Sequence, residues 1–438
     1  MKKRILGLIL GFVAISSLSV MAQSSATASE EGRELEISLQ EAREFALANN
    51  RALKNADLEV KKAYAARWQT IASMLPNVDA KFDYQNMLGY SIDLGAGPGI
   101  PMNPSGTIGI TASIAINGQM IVGALLQNVA IDMQDINYRQ SELDIVSNVE
   151  TYYITALAME KTVSLLDSSL INLENLYNIT LNSVKAGAAE QTAADQIQVQ
   201  VSSMRSVINS TRRSVEMVYN ALALQLATGT ERRLVLTDKL DNVLNVEAAL
   251  QLLKSDFVLD RNYSYRLAEK NVELEKKNVI MAGMAYVPTI SAFYQYSYKT
   301  YFGKDAGFNM TPPNVLGASI SLPIFSSGRR SAAITEKKLA VQAAENTLAD
   351  ARDGLMVQHK QLCYDLSSAY EDFDIQKFNI DVSQRVFNST TNKFEQGYAS
   401  SLELTNASMS LLTAQNDYVQ SILKLVNAQI SLKKLLNN

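Results

Sequence analysis

The sequence predicts a mainly α-helical protein that is built twice from one unit, with a pair of β-hairpins suited to a membrane β-barrel. Two observations support this fold class. All eight prolines of the 438-residue chain lie in two windows, 76–104 and 288–323, separated by long proline-free stretches with helical patterning. A matching phrase opens both windows 212 residues apart, and a matching glycine turn recurs at an offset of 210 residues. Each half therefore reads helix, hairpin, very long helix, turn, helix.

The N-terminus has the pattern of an export signal. Basic residues at positions 2–4 precede an apolar run at 5–20, and small residues suited to cleavage follow. We therefore predict a signal peptide at residues 1–22. No cysteine stands at the cleavage point, so we expect no lipoprotein, and no later apolar run is long enough for a transmembrane helix.

The mature chain is predicted to consist of two structural repeats, residues 23–235 and residues 236–438. Between the hairpin and the tip turn of each repeat, single helices of roughly 100 Å can form at about 1.5 Å per residue. Gly187 and Gly397 are expected to end these helices as left-handed caps. The predicted features are a hairpin at about 77–117 and a tip turn at about 185–192 in the first repeat, and a hairpin at about 289–325 and a tip turn at about 395–401 in the second.

The helices that follow the two tip turns carry apolar residues at heptad spacing. In the first repeat, the apolar residues recur in steps of three and four over 197–222. The counterpart helix has two such seams, over 402–430 and 411–435. A four-helix bundle or an extended coiled coil explains one seam, whereas two seams indicate a helix with a neighbour on each side, as in a closed ring of helices.

The two proline windows change the apolar period from helical spacing to strict alternation. We predict strands at 78–85, 107–116, 290–298 and 316–322, and seven aromatic residues crowd positions 293–308, as in the girdles of outer-membrane barrels. One such hairpin fits a soluble protein with an apolar face, but two hairpins behind an export signal favour a membrane sheet. Four strands are too few for a single-chain barrel, so the protein is expected to oligomerise.

Composition argues against several other classes of protein. The formal charge is −4, or −7 after the three basic residues of the signal are removed, with both signs interspersed, so nucleic acid is not an expected partner. His359 and Cys363, the single histidine and cysteine, have the i, i+4 spacing of a metal pair, but we expect a surface imidazole and a packed thiol. The glycine cluster at 95–99 lacks the flanking strand and helix of a nucleotide loop. No catalytic, cofactor-binding or metal site is predicted.

Several short segments follow one another in a characteristic order. They are the helix from Leu39 to Leu53, Leu75-Pro76 before the first strand, Leu322-Pro323-Ile324-Phe325 with Gly328-Arg329-Arg330, Phe394-Glu395-Gln396-Gly397 with Ser401-Leu402-Glu403-Leu404, and Ala414-Gln415-Asn416-Asp417-Tyr418. In this order and duplication they resemble, over essentially the whole mature chain, the TolC family of outer-membrane efflux and secretion channels.

The resemblance implies a homotrimer with a 12-stranded β-barrel in the outer membrane, continuous with a 12-helix tube across the periplasm. It implies the passive exit duct of a tripartite efflux or type I secretion system, which is not an enzyme and needs no cofactor. The implied partners are a periplasmic adaptor (membrane fusion) protein, an inner-membrane transporter of the RND or ABC type, and outer-membrane lipid. The adaptor and the transporter open the tube at its periplasmic tip.

The resemblance also assigns candidate residues near the second tip turn. The acidic position that narrows the prototype's periplasmic entrance falls on Glu403, and a second acidic position falls on Asn406, which implies one carboxylate ring instead of two. The alternative is that Glu403 lies on a solvated helix face. The tyrosine and arginine that latch the prototype's closed tip fall on Phe394 and Ala399, so polar latches of that form are missing. The residues predicted to contact the adaptor are Gly187, Ala188, Gly397, Tyr398, Ala399 and Ser400.

A periplasmic coiled-coil adaptor or scaffold that never spans a membrane is the alternative function. It accounts for the export signal and the helices. It does not account for two alternating hairpins with aromatic girdles, and it would not depend on detergent once exported.

Overall fold

The computed structural model describes residues 34–92, 95, 100–187, 189–229, 232–243, 246–302 and 312–437. The predicted signal peptide at 1–22, the tip residue Ala188 and most of the glycine cluster at 95–99 lie outside these residues. The described part of the chain is mainly helical and runs twice through the same order of elements, which confirms the predicted fold class.

The first repeat opens with a helix that the structure divides at Asn50, where the sequence predicts one continuous helix. The backbone of Asn50 leaves the helical region (φ −57°, ψ 130°), and its side-chain oxygen accepts hydrogen bonds from the N–H groups of Ala52 and Leu53. This cap starts a second helix. The elements are β1 (Leu35–Ile37), α1 (Leu39–Asn49), α2 (Arg51–Ala72), β2 (Asn77–Gln85), β3 (Ser91–Ile92), β4 (Ile100–Pro101), β5 (Ser105–Ile116), α3 (Gly118–Lys185) and α4 (Gln191–Leu226).

A short connecting region joins the two repeats and was not predicted. The predicted boundary between residues 235 and 236 falls inside its strand and remains a prediction. Its elements are β6 (Leu234–Leu236), α5 (Leu240–Val243), α6 (Val246–Leu253) and a 3₁₀ turn (Leu259–Arg261). The second repeat continues with α7 (Tyr263–Gly283), a 3₁₀ turn (Met284–Tyr286), β7 (Thr289–Tyr301), β8 (Asn314–Ser321), α8 (Arg329–Glu395) and α9 (Ser401–Leu436).

The helices α3 and α8 are single helices of 68 and 67 residues, about 100 Å long at 1.5 Å per residue. Gly187 and Gly397 follow their ends with left-handed φ values of +73° and +79°. After α8, the N–H of Gly397 donates to the carbonyl of Phe394 (3.0 Å) and the N–H of Tyr398 donates to the carbonyl of Lys393 (2.8 Å). Glycine avoids the steric cost of this conformation, as the sequence predicts.

The four long strands form one antiparallel sheet in the order β2, β5, β7, β8. The register places Phe82 opposite Ile108 and Ile108 opposite Tyr298, so apolar residues of neighbouring strands share one face. The other face carries mainly polar residues, because side chains alternate along each strand, and Phe293 and Val315 also lie on it. The short strands β3 and β4 pair with each other between β2 and β5.

Below the sheet, the helices pack in two layers. In the upper layer, next to the sheet, α2, α3, α7 and α8 are neighbours in that order. In the lower layer, toward the tip turns, the order is α4, α3, α9 and α8. No helix in the described part of the chain combines the length and the apolar character that a membrane crossing needs.

A belt of short elements, namely β1, α1, β6, α5 and α6, packs on these helices where the layers meet. β1 and β6 pair in parallel. The hydroxyl of the buried Tyr153 on α3 lies 3.0 Å from the carbonyl oxygen of Ile37 and 2.9 Å from a carboxylate oxygen of Asp238. Burial and the nearby Asp238 carboxylate raise the pKa of Tyr153 above its usual range, so the hydroxyl keeps its proton and anchors the belt.

Candidate functional site

The candidate functional surfaces of this chain are its open strand edges, its exposed apolar faces and its tip turns. The first of these surfaces is the four-stranded sheet. β2 and β8 form its two edges, and among the described residues each has a partner strand on one side only. Phe82 on β2 is 75% exposed and Leu316 on β8 is 81% exposed. Such open edges and apolar faces are unfavourable in water, whereas a closed sheet in lipid pairs the edges and covers the apolar face.

The helical layers are open at matching flanks. The upper layer ends at α2 and α8, and the lower layer ends at α4 and α8. These end helices carry exposed large apolar side chains, including Trp68 on α2, Met217 and Leu224 on α4, and Val357 and Tyr364 on α8. Several large exposed apolar side chains on each flank indicate a protein interface.

Both tip turns lie at the end of the helical layers that is far from the sheet. One apolar cluster there joins Leu176, Ile197, Phe387 and Leu404, which come from the four helices that the turns connect. Gly187, Gly397 and Ser400 are exposed, Tyr398 is 82% exposed and Ala399 is half-buried. The adaptor-contact assignment of these residues remains a prediction.

Glu403 and Asn406 are both exposed near the start of α9. The Glu403 carboxylate accepts hydrogen bonds from the N–H (2.7 Å) and the hydroxyl (3.0 Å) of Ser400, and the N–H of Glu403 donates to that hydroxyl (3.2 Å). The backbone bond from Ser400 and then the hydroxyl bond lower the pKa of Glu403, because both stabilise the charged form. Glu403 therefore caps α9 as an anion. Its role in an entrance constriction remains a prediction.

The lower layer contains a buried polar link that sequence reasoning missed. The hydroxyl of Ser169 on α3 donates to the side-chain carbonyl of Gln415 on α9 at 3.0 Å, and both residues are buried. Gln415 lies four residues after Leu411 on an apolar face, which was the available signal for a buried partner. Phe394, at the expected latch position, packs against the neighbouring apolar cluster instead of donating a hydrogen bond there.

The single histidine and cysteine lie together on α8. The Sγ of Cys363 is 3.5 Å from Nε2 of His359, and the His359 ring stacks on Phe257 with 5.0 Å between centroids. Burial raises the pKa of the Cys363 thiol, which is therefore protonated at neutral pH. Among the described residues, no group of three or more histidine, cysteine or acidic side chains is arranged to hold a metal ion.

An open four-stranded sheet that continues into two open layers of long helices defines the subunit of a channel. The family model described as "Outer membrane efflux protein" matches residues 43–230 and 255–438, and the chain belongs to this family. It is the outer-membrane channel component of an efflux pump, a transport protein and not an enzyme. Family membership also favours this function over the coiled-coil scaffold.

Curated relatives and solved structures agree with this assignment. The chain is 24% identical over 416 residues to "Probable efflux pump outer membrane protein TtgC" and to "Antibiotic efflux pump outer membrane protein ArpC", both of Pseudomonas putida, over 91% of this chain and 82% of each relative. The structure of CusC has a TM-score of 0.75 and 19% identity, covering 91% of both chains. The open state of the Neisseria gonorrhoeae MtrE channel has a TM-score of 0.73 and 20% identity, covering 91% of this chain and 89% of that one.

Proposed function

We propose that this chain forms the passive exit duct of a tripartite efflux system and works as a homotrimer. Three copies of the four-stranded sheet close into a 12-stranded barrel in the outer membrane, and three copies of each helical layer close into a 12-helix tube. A periplasmic adaptor and an inner-membrane transporter engage the tip and open it, and the transporter supplies the energy. The names of the curated relatives support efflux rather than type I secretion as the setting.

The observation that carries this proposal is that the sheet, the upper helical layer and the lower helical layer are all open at corresponding flanks. The sheet is open at β2 and β8, the upper layer at α2 and α8, and the lower layer at α4 and α8. One rotation that brings β8 of one copy to β2 of the next also brings α8 to α2 and to α4. A head-to-tail contact that repeats in this way closes into a ring.

The proposed location is the outer membrane with a large periplasmic extension. Residues 1–22 direct export and are then removed, and no lipid anchor is needed, because the barrel itself holds the protein in the membrane. The helical layers, which have no membrane-spanning segment among the described residues, extend into the periplasm.

We further propose that Glu403 and Asn406 line the periplasmic entrance. Three Glu403 carboxylates around one axis attract cations and repel one another, which limits how closely the helices approach. The small and exposed residues of the tip turns, Gly187 and Gly397 with Tyr398, Ala399 and Ser400, allow a helical hairpin of the adaptor to approach. Ala188 is assigned to the same contact from the sequence.

The test is the single-channel conductance of the detergent-purified protein in a planar lipid bilayer. Glu403→Gln removes the charge and keeps an oxygen that can accept the hydrogen bonds from Ser400, so it separates electrostatics from helix capping. Glu403→Lys reverses the charge. The matched control is Asp195→Asn, which neutralises an exposed carboxylate near the start of the counterpart helix α4.

The proposal predicts a small, cation-preferring conductance that loses its preference in Glu403→Gln and prefers anions in Glu403→Lys, with no change in Asp195→Asn. If insertion is normal and all three variants keep the wild-type selectivity, the entrance lies elsewhere and the channel assignment stands. A purified protein that never inserts and runs as a monomer would contradict the trimeric duct itself.

A further inference from the structure

The belt around the helices leaves one strand edge unpaired. The hydrogen bonds of β6 and its flanks to β1 use the carbonyl of Arg233 (2.9 Å) and the N–H of Thr237 (3.2 Å). Because main-chain groups alternate between the two edges along a strand, the N–H and C=O groups of Leu234 and Leu236 point to the opposite edge. Within the part of the chain that the structure describes, these four groups have no hydrogen-bond partner.

This free edge of β6 lines an open groove of about 720 Å³. The facing wall is α4, which contributes Val215, Glu216 and Tyr219, and α3 contributes Glu160. The hydroxyl of Tyr219 donates to the Glu160 carboxylate at 2.5 Å. Among the described residues none from β1 lines the groove, so it opens on the unpaired side of β6. An exposed strand edge next to an open groove is a template for an additional strand.

At the opposite end of the belt, the short segment that joins α6 to the following 3₁₀ turn also has unpaired main-chain groups. Residues 255–258 follow α6, which packs on α8 and α9. Val258 has an extended backbone (φ −94°, ψ 102°) and is 45% exposed, while Phe257 is held by its stacking on His359. In the described residues, the N–H groups of Asp256, Phe257 and Val258 find no hydrogen-bond partner.

We propose that residues 255–258 of one copy pair with the free edge of β6 in the next copy, as a third strand of the small sheet. β6 lies beside α4 and the segment lies beside α8, and these are the flanks that meet when the proposed trimer closes. The inference therefore rests on the proposed function. The exposed Arg233 guanidinium at the start of β6 pairs with the Glu34 carboxylate of its own copy (3.2 Å), and the exposed Asp256 carboxylate of the next copy then approaches it as a second acidic partner.

This pairing gives each groove an occupant and makes the belt continuous around the tube. It also joins the connecting regions of neighbouring copies through main-chain hydrogen bonds, which depend on the backbone more than on the side chains of the paired residues. The belt thereby becomes an interface element of its own, separate from the barrel and from the helical flanks.

The first test is disulfide cross-linking of the full-length protein in the membrane, in a Cys363→Ser background. Chains that carry Arg233→Cys together with Val258→Cys, or with Asp256→Cys to allow for the other register, are expected to form covalent dimers and trimers on oxidation. The matched control combines Glu36→Cys with Val258→Cys. Glu36 lies on β1, one strand spacing of about 4.8 Å farther from the groove, beyond the reach of a disulfide.

The second test separates main-chain pairing from side-chain packing. Val258→Pro removes the N–H group at a φ of −94°, about 30° from the value of about −65° that proline prefers, whereas Val258→Ala shortens the side chain and keeps the N–H. The proposal predicts that Val258→Pro lowers the dissociation temperature of the trimer on gels clearly more than Val258→Ala does. Equal effects of the two changes would contradict a main-chain contact.

The outcomes distinguish this inference from the function on which it rests. A trimer that conducts ions but gives no cross-link in either belt pair overturns the strand addition and leaves the duct intact. Cross-linking of the control pair to the same extent also overturns it. A protein that forms no trimer in any assay overturns both proposals.

Discussion

The two longest helices, α3 and α8, have nearly the same length and very different surroundings. Twenty of the 68 residues of α3 are buried, against seven of the 67 residues of α8. In both layers α3 lies between two helices, whereas in the part of the chain that the structure describes α8 has a neighbouring helix of its layer on one side only. α3 even buries a carboxylate, because Glu150 is paired with Arg43 (2.9 Å) and Lys433 (3.0 Å). The two helices hold equivalent places in the repeat, so the difference arises from position at the edge.

The second face of α8 is apolar and exposed within one copy, as the proposed trimer requires of a face that contacts another copy. Its exposed apolar side chains recur along the helix and include Leu339, Val357, Tyr364, Ile375, Phe378 and Val386. A helix that ended a soluble bundle would carry polar residues on that face. Sequence duplication thus produced two similar helices, and their places in the layers then required different faces.

The largest expected effect comes from a charge on the open face of α8. Val357 is 68% exposed in one copy, and Val357→Asp is expected to abolish the trimer. Assembly would bury an unpaired carboxylate, at a cost of about 3–5 kcal/mol per site. Native gel electrophoresis of the detergent-purified protein measures the result, and Val357→Ala, which adds no charge, should remain trimeric.

Trp68 provides an independent readout of the same prediction. It is the only tryptophan of the chain and is exposed on the open flank of α2. Ring closure brings α8 of the next copy to this flank, so tryptophan emission should shift to shorter wavelength on assembly of the wild type and stay unshifted in Val357→Asp. A Val357→Asp protein that still forms a trimer would show that α8 does not supply the interface.

A smaller effect is expected from truncating one leucine on each helix. Leu157 on α3 is 5% exposed, and Leu157→Ala should destabilise the fold by about 2–5 kcal/mol through lost burial and a cavity. Leu339 on α8 is exposed within one copy, so Leu339→Ala should leave the loss of helical circular dichroism on heating almost unchanged. It should instead lower the dissociation temperature of the trimer on gels. If Leu157→Ala and Leu339→Ala lose their helical circular dichroism at the same lowered temperature, α3 and α8 do not differ in the way proposed.

Local chemistry explains which parts of this fold could be predicted from the sequence. Proline removes a backbone donor and glycine tolerates positive φ, so the proline windows and the turns at Gly187 and Gly397 mark the ends of long elements. The alternation from Val78 to Tyr84 predicts both the strand and which of its residues form the apolar face. A one-residue change in strand register would move the apolar side chains to the other face. The position of α9 between α3 and α8 was also predicted in part, since two apolar seams on one helix require two neighbours.

The remaining features could not be predicted from local sequence. They depend on residues that are far apart in the chain, or on a side chain whose pattern fits two different roles. β1 and β6 have three residues each, too few to show a period, and they pair across 199 positions. The break at Asn50 lies inside a helical pattern that continues on both sides. Ser400 and Glu403 match the spacing of a capping box, so the pattern that suggests an entrance carboxylate also predicts a helix cap.

The smallest expected effect concerns this cap and compares the starts of α9 and α4. The pKa of Glu403 in the folded protein lies below its ordinary value of 4.5, chiefly because of the backbone hydrogen bond from Ser400. The stabilisation is therefore fully present above the unfolded pKa and is lost as the pH falls through the lowered pKa of the folded state. Hydrogen exchange at residues 401–404 should accelerate in that acidic range beyond the intrinsic pH dependence.

The counterpart helix supplies the control within the same molecule. α4 begins after Glu190 without a side-chain cap and with no acidic residue in its first turn, so the amides of residues 191–194 should follow the intrinsic pH dependence alone. In Glu403→Gln the acid-dependent component should disappear from α9 as well, because the amide does not titrate. If the start of α9 keeps its protection even well below the lowered pKa of Glu403, where the side chain is protonated, the Glu403 carboxylate is not what holds the cap, and the entrance is then the remaining role of its charge.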